Sequence, residues 1–170
     1  MGHHNNKYNK GYHSQILREM GDDKEKADNL NEQIVEVTLP NEMGYERVAM
    51  ACSASFAKMF GLAPERIEDL KTIVGEAAIN AMQHGNKDRP DARVNFTLKH
   101  EDDAINIWVM DEGDGIKRLL PDPNIERIID NLDPPVGFGT FFIKQLADHV
   151  EFNETTDKGL ALKMVIKIKK

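Results

Sequence analysis

Cysteine is almost missing: Cys52 stands alone among 170 residues, so no intramolecular disulfide and no multi-cysteine metal site can form. A reduced, cytoplasmic setting fits, and Cys52, set in an apolar helical stretch, reads as a core residue. No uncharged apolar run approaches the roughly 18 residues of a membrane span, and the N-terminus lacks the apolar segment of a signal peptide. No membrane association is expected. Positive charge is in deficit, with 22 Lys and Arg against 29 Asp and Glu and a net charge of −7. That balance repels phosphate backbones and anionic lipid, so direct nucleic-acid binding is disfavoured. What is present is ordinary globular material: 40% apolar and 30% charged residues with 12 glycines and 7 prolines. A chain of this length buries about 68–70% of its unfolded surface and needs no covalent staple.

Residues 1–32 are polar, carry His3, His4 and His13, and offer few large apolar groups, too few to offset the entropy of ordering. They read as a mobile N-terminal tail, leaving residues 33–170 as the folded domain. Gln33–Leu39 alternates as a strand stopped by Pro40. Met43–Phe60 has helical spacing. A second helix is expected from Pro64, which suits a first turn, to Gly85, which suits the left-handed position past a helix end. Arg93–Leu98 and Ile105–Met110 read as strands joined by a charged turn, Lys99–Asp103. Beyond a long Pro- and Asp-rich stretch, a helix is expected over Thr140–His149, and Val150–Phe152 and Leu160–Ile168 read as closing strands. This order predicts an α+β fold, a two-layer sandwich with helices on one face of a mixed, mainly antiparallel sheet.

Three features depart from bland packing. Glu76 and Asn80, one turn apart, lie about 40° from each other around a helix axis, beside an apolar stripe of Leu70, Val74, Ala77 and Ala81. A carboxylate that can take a proton and a carboxamide that offers a hard oxygen to a cation therefore share one flank. Asp111-Glu112-Gly113-Asp114-Gly115 comes after a strand, where a carboxylate can point into a cleft while the glycines let a flat ligand approach. It has no Glu at the twelfth place of a calcium loop. Gly137-Phe138-Gly139-Thr140 precedes a helix, and a glycine turn before free helical amides can seat a phosphate. The Gly-x-x-x-x-Gly-Lys-Ser/Thr loop and the His-Arg-Asp and Asp-Phe-Gly motifs of ordinary protein kinases are missing.

Taken in order, Glu76…Asn80, Asp111-x-Gly-x-Gly and Gly137-x-Gly resemble the GHKL (Bergerat-fold, histidine-kinase-like) ATPases. The helix Glu76-Ala77-Ala78-Ile79-Asn80-Ala81-Met82-Gln83-His84-Gly85 and the stretch Phe142–Glu151 look most like the anti-sigma factor serine-protein kinases. The resemblance covers about residues 33–170. It implies a Bergerat-type sandwich that binds ATP with Mg2+ and phosphorylates a serine on a STAS-type anti-anti-sigma partner. It also implies a sigma factor as second partner and a homodimer. Carried over residue by residue, it makes Glu76 the general base and Asn80 the magnesium ligand. Asp111 becomes the acceptor for the adenine amino group, with Gly113 and Gly115 shaping that wall, while Gly137, Gly139 and Thr140 lie by the phosphates. The family carries a Gly-Thr pair near the adenine where Gly159 is here succeeded by Leu160 and Ala161, which implies one hydrogen bond fewer there. The lid, Ile116–Val136, offers Lys117, Arg118 and Arg127 as its basic residues. A different class of function, a nucleotide-gated binding regulator without kinase activity, would keep Asp111 and the glycines but not need Glu76.

Overall fold

Two rows of apolar side chains cross all five strands of the sheet. In one, Val37, Phe96, Val109, Leu162 and Phe152 are register partners; in the other, Val35, Leu98, Ile107, Met164 and Val150. Period-two alternation puts both rows on one face, and fully burying each such side chain contributes roughly 1.5–3 kcal/mol. These residues belong to a computed structural model that describes residues 33–113, 123, 124, 126, 130, 137–154 and 160–168. The expected tail, 1–32, lies outside the described residues.

The strands are β1 (Ile34–Pro40), β2 (Arg93–Glu101), β3 (Ala104–Met110), β4 (His149–Glu154) and β5 (Leu160–Lys167), in the order β1-β2-β3-β5-β4. All four pairings among the described residues are antiparallel, so the expected mainly antiparallel sheet is here wholly so. The β2–β3 connection is tighter than the expected Lys99–Asp103 turn. Asp102 and Asp103, with φ of 50° and 59°, make a two-residue turn whose twist matches the strands. Pairing therefore continues to Glu101 opposite Ala104, and Lys99 lies within β2.

Helix α1 (Glu46–Met59) buries Ala49, Phe56 and Ala57, and α2 (Pro64–Asn80) buries Ile67, Leu70, Ile73 and Val74. All belong to the same core as the apolar rows, which bears out the α+β sandwich. Pro64 opens α2 behind an extended Ala63, as a proline's fixed φ and its restriction on the preceding residue require. The helix α3 (Phe138–Leu146) starts and stops earlier than expected. Ala147 turns to extended backbone, and the Asp148 amide bonds the Val165 carbonyl, so His149 opens β4 rather than closing a helix.

Candidate functional site

Past Asn80, α2 widens into a π turn, Ala81–Gly85, closed by the Asn86 amide on the Ala81 carbonyl at 2.7 Å. One extra residue in the turn rotates the chain beyond it by about 100° relative to a continuing α-helix. Gly85 is not the left-handed cap that its position in the sequence predicts: positive φ among the described glycines occurs at Gly44, Gly61 and Gly137. Its reason is close approach. A Cβ on Gly85 would overlap the Asp111 carboxylate, and one on Gly113 would overlap the Gly85 carbonyl. The π turn that ends α2 and the turn after β3 thus touch backbone to carboxylate, which a side chain at either glycine would forbid.

Asp111 is 4% exposed. Its Oδ1 accepts the amides of Gly113 at 2.8 Å and Leu160 at 3.3 Å, and its own amide donates to the Leu160 carbonyl at 3.2 Å. Leu160 thus supports the carboxylate through its backbone, so the departure from a Gly-Thr pair leaves these bonds in place. No hydrogen bond reaches Oδ2 from the described residues. Burial raises the Asp111 pKa, opposed by the two amides and by the Arg89 charge. A buried carboxylate with one oxygen tied down and one uncommitted is suited to accept from an amino group.

Glu76 and Asn80 lie half-buried on the flank of α2, with no hydrogen bond or ion pair to the described residues. Gly139 faces both. A Cβ built there would stand 2.5 Å from Glu76 Oε2 and 3.4 Å from Asn80 Nδ2. Gly137 is the N-cap of α3 with φ of +86°, a conformation that favours glycine. The first intrahelical bond runs from Phe141 to the Gly137 carbonyl, so the amides of Phe138, Gly139 and Thr140 have no intrahelical acceptor. The structure therefore unites Glu76, Asn80, Gly137, Gly139 and Thr140 in one corner and Asp111, Gly113 and Gly85 in another, a few residues along the same helix. Gly115 and the lid candidates Lys117, Arg118 and Arg127 lie outside the described residues.

Sequence reasoning missed Arg66, whose place in a charged first turn reads as a solvated helical residue. Its Nη1 donates to Asp69 Oδ2 at 2.7 Å and to the Leu146 carbonyl at 2.9 Å, and its Nη2 to Asp148 Oδ2 at 2.6 Å. The Lys167 amide donates to the same Asp148 oxygen at 2.8 Å. Arg66 thus ties the start of α2 to the end of α3, leaving the Gly137 end of α3 to face Glu76. Arg66→Met is expected to lower stability by about 1.5–3 kcal/mol, the worth of a hydrogen bond to a charged group, read as a lower midpoint in urea at unchanged slope.

No group of three or more His, Cys, Asp or Glu residues among the described residues could hold a metal, and no helix there is long and apolar enough to cross a membrane. Residues 39–166 match the family described as histidine kinase-like ATPase domain. The chain is 31% identical over 128 residues to a protein of Oceanobacillus iheyensis named serine-protein kinase RsbW, covering 72% of this chain and 80% of the relative. It is 29% identical to the anti-sigma F factor of the same organism, covering 74% and 86%. Among solved structures, the RsbU and RsbW domains of a Mycobacterium tuberculosis protein superpose with a TM-score of 0.57 at 14% identity. That match covers 79% of this chain and 32% of the other, a likeness of fold alone.

Proposed function

This chain belongs to the histidine kinase-like ATPase domain family, and from that premise we propose that it is an ATP-dependent serine-protein kinase and anti-sigma factor. The phosphorylated partner is a STAS-type anti-anti-sigma protein, the sequestered one a sigma factor, and the working form a homodimer built on residues 33–170. The observation that carries this reading is the approach of Gly139 to Glu76 and Asn80, where a proton acceptor, a hard oxygen and the open amides of a helix start converge.

Each residue then has a physical task. The amides of Phe138, Gly139 and Thr140, at the positive end of α3, hold phosphate oxygens. Glu76 takes the proton of the partner's serine hydroxyl as that oxygen attacks the terminal phosphorus of ATP; the bond from that phosphorus to the bridging oxygen breaks, and ADP leaves with the bridging oxygen. Asp111 accepts a hydrogen bond from the adenine amino group at Oδ2, with Gly113 keeping that wall thin. The donor set fits magnesium, which is held by one or two protein oxygens and otherwise by phosphates and water. Asn80 Oδ1 would be that protein oxygen. When bound, the ion supplies charge neutralisation for the phosphoryl group being transferred.

Asn80→Ala is expected to make nucleotide binding largely insensitive to magnesium, because the metal keeps only phosphate and water ligands. Comparing ATP affinity with and without the ion in both proteins tests this, and a mutant with the wild-type dependence would move the metal elsewhere. The kinase itself is tested with radiolabelled ATP, magnesium and a purified STAS-type anti-anti-sigma protein. Label on a serine of that protein supports the reading. Tight nucleotide-dependent binding without label would favour the gated regulator instead.

A further inference from the structure

Asn86, the residue after the π turn, is fully buried at 0% exposure, and its carboxamide is spent in three directions. Nδ2 donates to Asn41 Oδ1 at 3.1 Å and to the Arg93 carbonyl at 3.0 Å, while Oδ1 accepts the Glu112 amide at 2.8 Å. Arg89 completes the arrangement. Its Nη2 donates to the Glu112 carbonyl at 2.6 Å and its Nε to the Asn86 carbonyl at 3.1 Å, and its own carbonyl accepts Asn41 Nδ2 at 2.9 Å.

Glu112 is thus gripped at both peptide groups, its N–H by Asn86 and its C=O by Arg89. Those two groups belong to the peptide planes that join Glu112 to Asp111 on one side and to Gly113 on the other. Fixing them fixes the direction in which the Asp111 side chain leaves the backbone, and the place of the Gly113 amide that holds Oδ1. The Glu112 side chain takes no part in this grip. The grip starts from the residue next to Gly85, whose missing Cβ lets the Asp111 carboxylate settle against the helix end.

We propose that Asn86, backed by Arg89, is a positioning residue that sets the base selectivity of the nucleotide site by holding the Asp111 carboxylate in place for the exocyclic amino group of adenine. This rests on the nucleotide reading above. Removing the Asn86 carboxamide strands the buried Asn41 Oδ1 and the part-buried Glu112 N–H and Arg93 carbonyl, and unpaired polar groups shielded from water are costly. The loop relaxes to pair them, and the carboxylate loses its register. Asn80, before the π turn, keeps its position.

The test is calorimetric titration of the full chain with ADP and with purine riboside diphosphate, which lacks the exocyclic amino group, each with and without magnesium. Wild-type protein is expected to prefer ADP by roughly ten- to a hundredfold, the worth of one hydrogen bond to a charged acceptor. Asn86→Ala is expected to bring that ratio to within about threefold, and Arg89→Ala to an intermediate value, while both keep the gain from magnesium. Partial unfolding would lower the competent fraction for both nucleotides alike and leave the ratio untouched. Arg89 is an exposed side chain, so its variant decides the matter if Asn86→Ala does not fold. Variants that retain the full ratio overturn the positioning role. A wild type with no preference for ADP overturns the adenine assignment of Asp111, and this proposal with it.

Discussion

Glu76→Gln is expected to lower phosphoryl transfer to a partner serine by about 10²–10⁴-fold while ATP affinity moves little. Glutamine keeps the length and planarity of the side chain, so the close approach of Gly139 and the neighbouring Asn80 are undisturbed. It cannot take a proton at neutral pH. The substitution removes an interaction made only in the transition state, which lowers the rate at saturation and leaves ground-state binding intact. Single-turnover transfer from labelled ATP, together with titration of the same protein with ATP, separates the two quantities. Transfer at the wild-type rate would strip Glu76 of its catalytic role. A parallel loss of ATP binding would make it a ligand-binding residue instead.

Asp111→Asn should weaken ADP and ATP binding by about ten- to a hundredfold, the loss of a hydrogen bond to a charged group worth about 1.5–3 kcal/mol. Its effect on stability has the opposite sign. Burial raises the Asp111 pKa above its unfolded value, so the stabilisation from protonating it is fully present below the ordinary carboxylate pKa. It is lost as pH rises through the raised folded value. At neutral pH the ionised group is a net cost to the free protein, and asparagine removes that cost. Its oxygen can still accept the amides of Gly113 and Leu160. Thermal unfolding at neutral pH without nucleotide should therefore show Asp111→Asn at least as stable as wild type, with the difference shrinking as pH falls into the acid range. A variant that loses both stability and affinity would mark Asp111 as a packing residue. Unchanged affinity for ADP would remove it from the site.

Period-two alternation in the strands and the Pro64 start of α2 were legible from the chain alone, because side-chain periodicity and proline's fixed φ act locally. The i,i+4 spacing of Glu76 and Asn80 was legible for the same reason, and so were the two glycine-bearing motifs in their order. What periodicity could not supply was the partner of each feature. Gly85 reads as a helix cap because a cap is the commonest local use of glycine, but its missing Cβ answers to Asp111, 26 residues away. Leu160 breaks the expected pattern in its side chain yet supports Asp111 through main-chain groups that every residue but proline possesses in full. Arg66 and Asn86 carry no sequence signal, since a charged residue in a first turn and an asparagine after a helix are ordinary in isolation. Arg66 gains its role from Asp148, 82 residues on, and Asn86 from Glu112, 26 residues on. The chain by itself determined which groups with useful chemistry it carries and the local structure that presents them. Tertiary packing alone decided which of them meet, because a hydrogen bond or a close approach is settled by distances of a few ångströms between segments that the sequence keeps far apart.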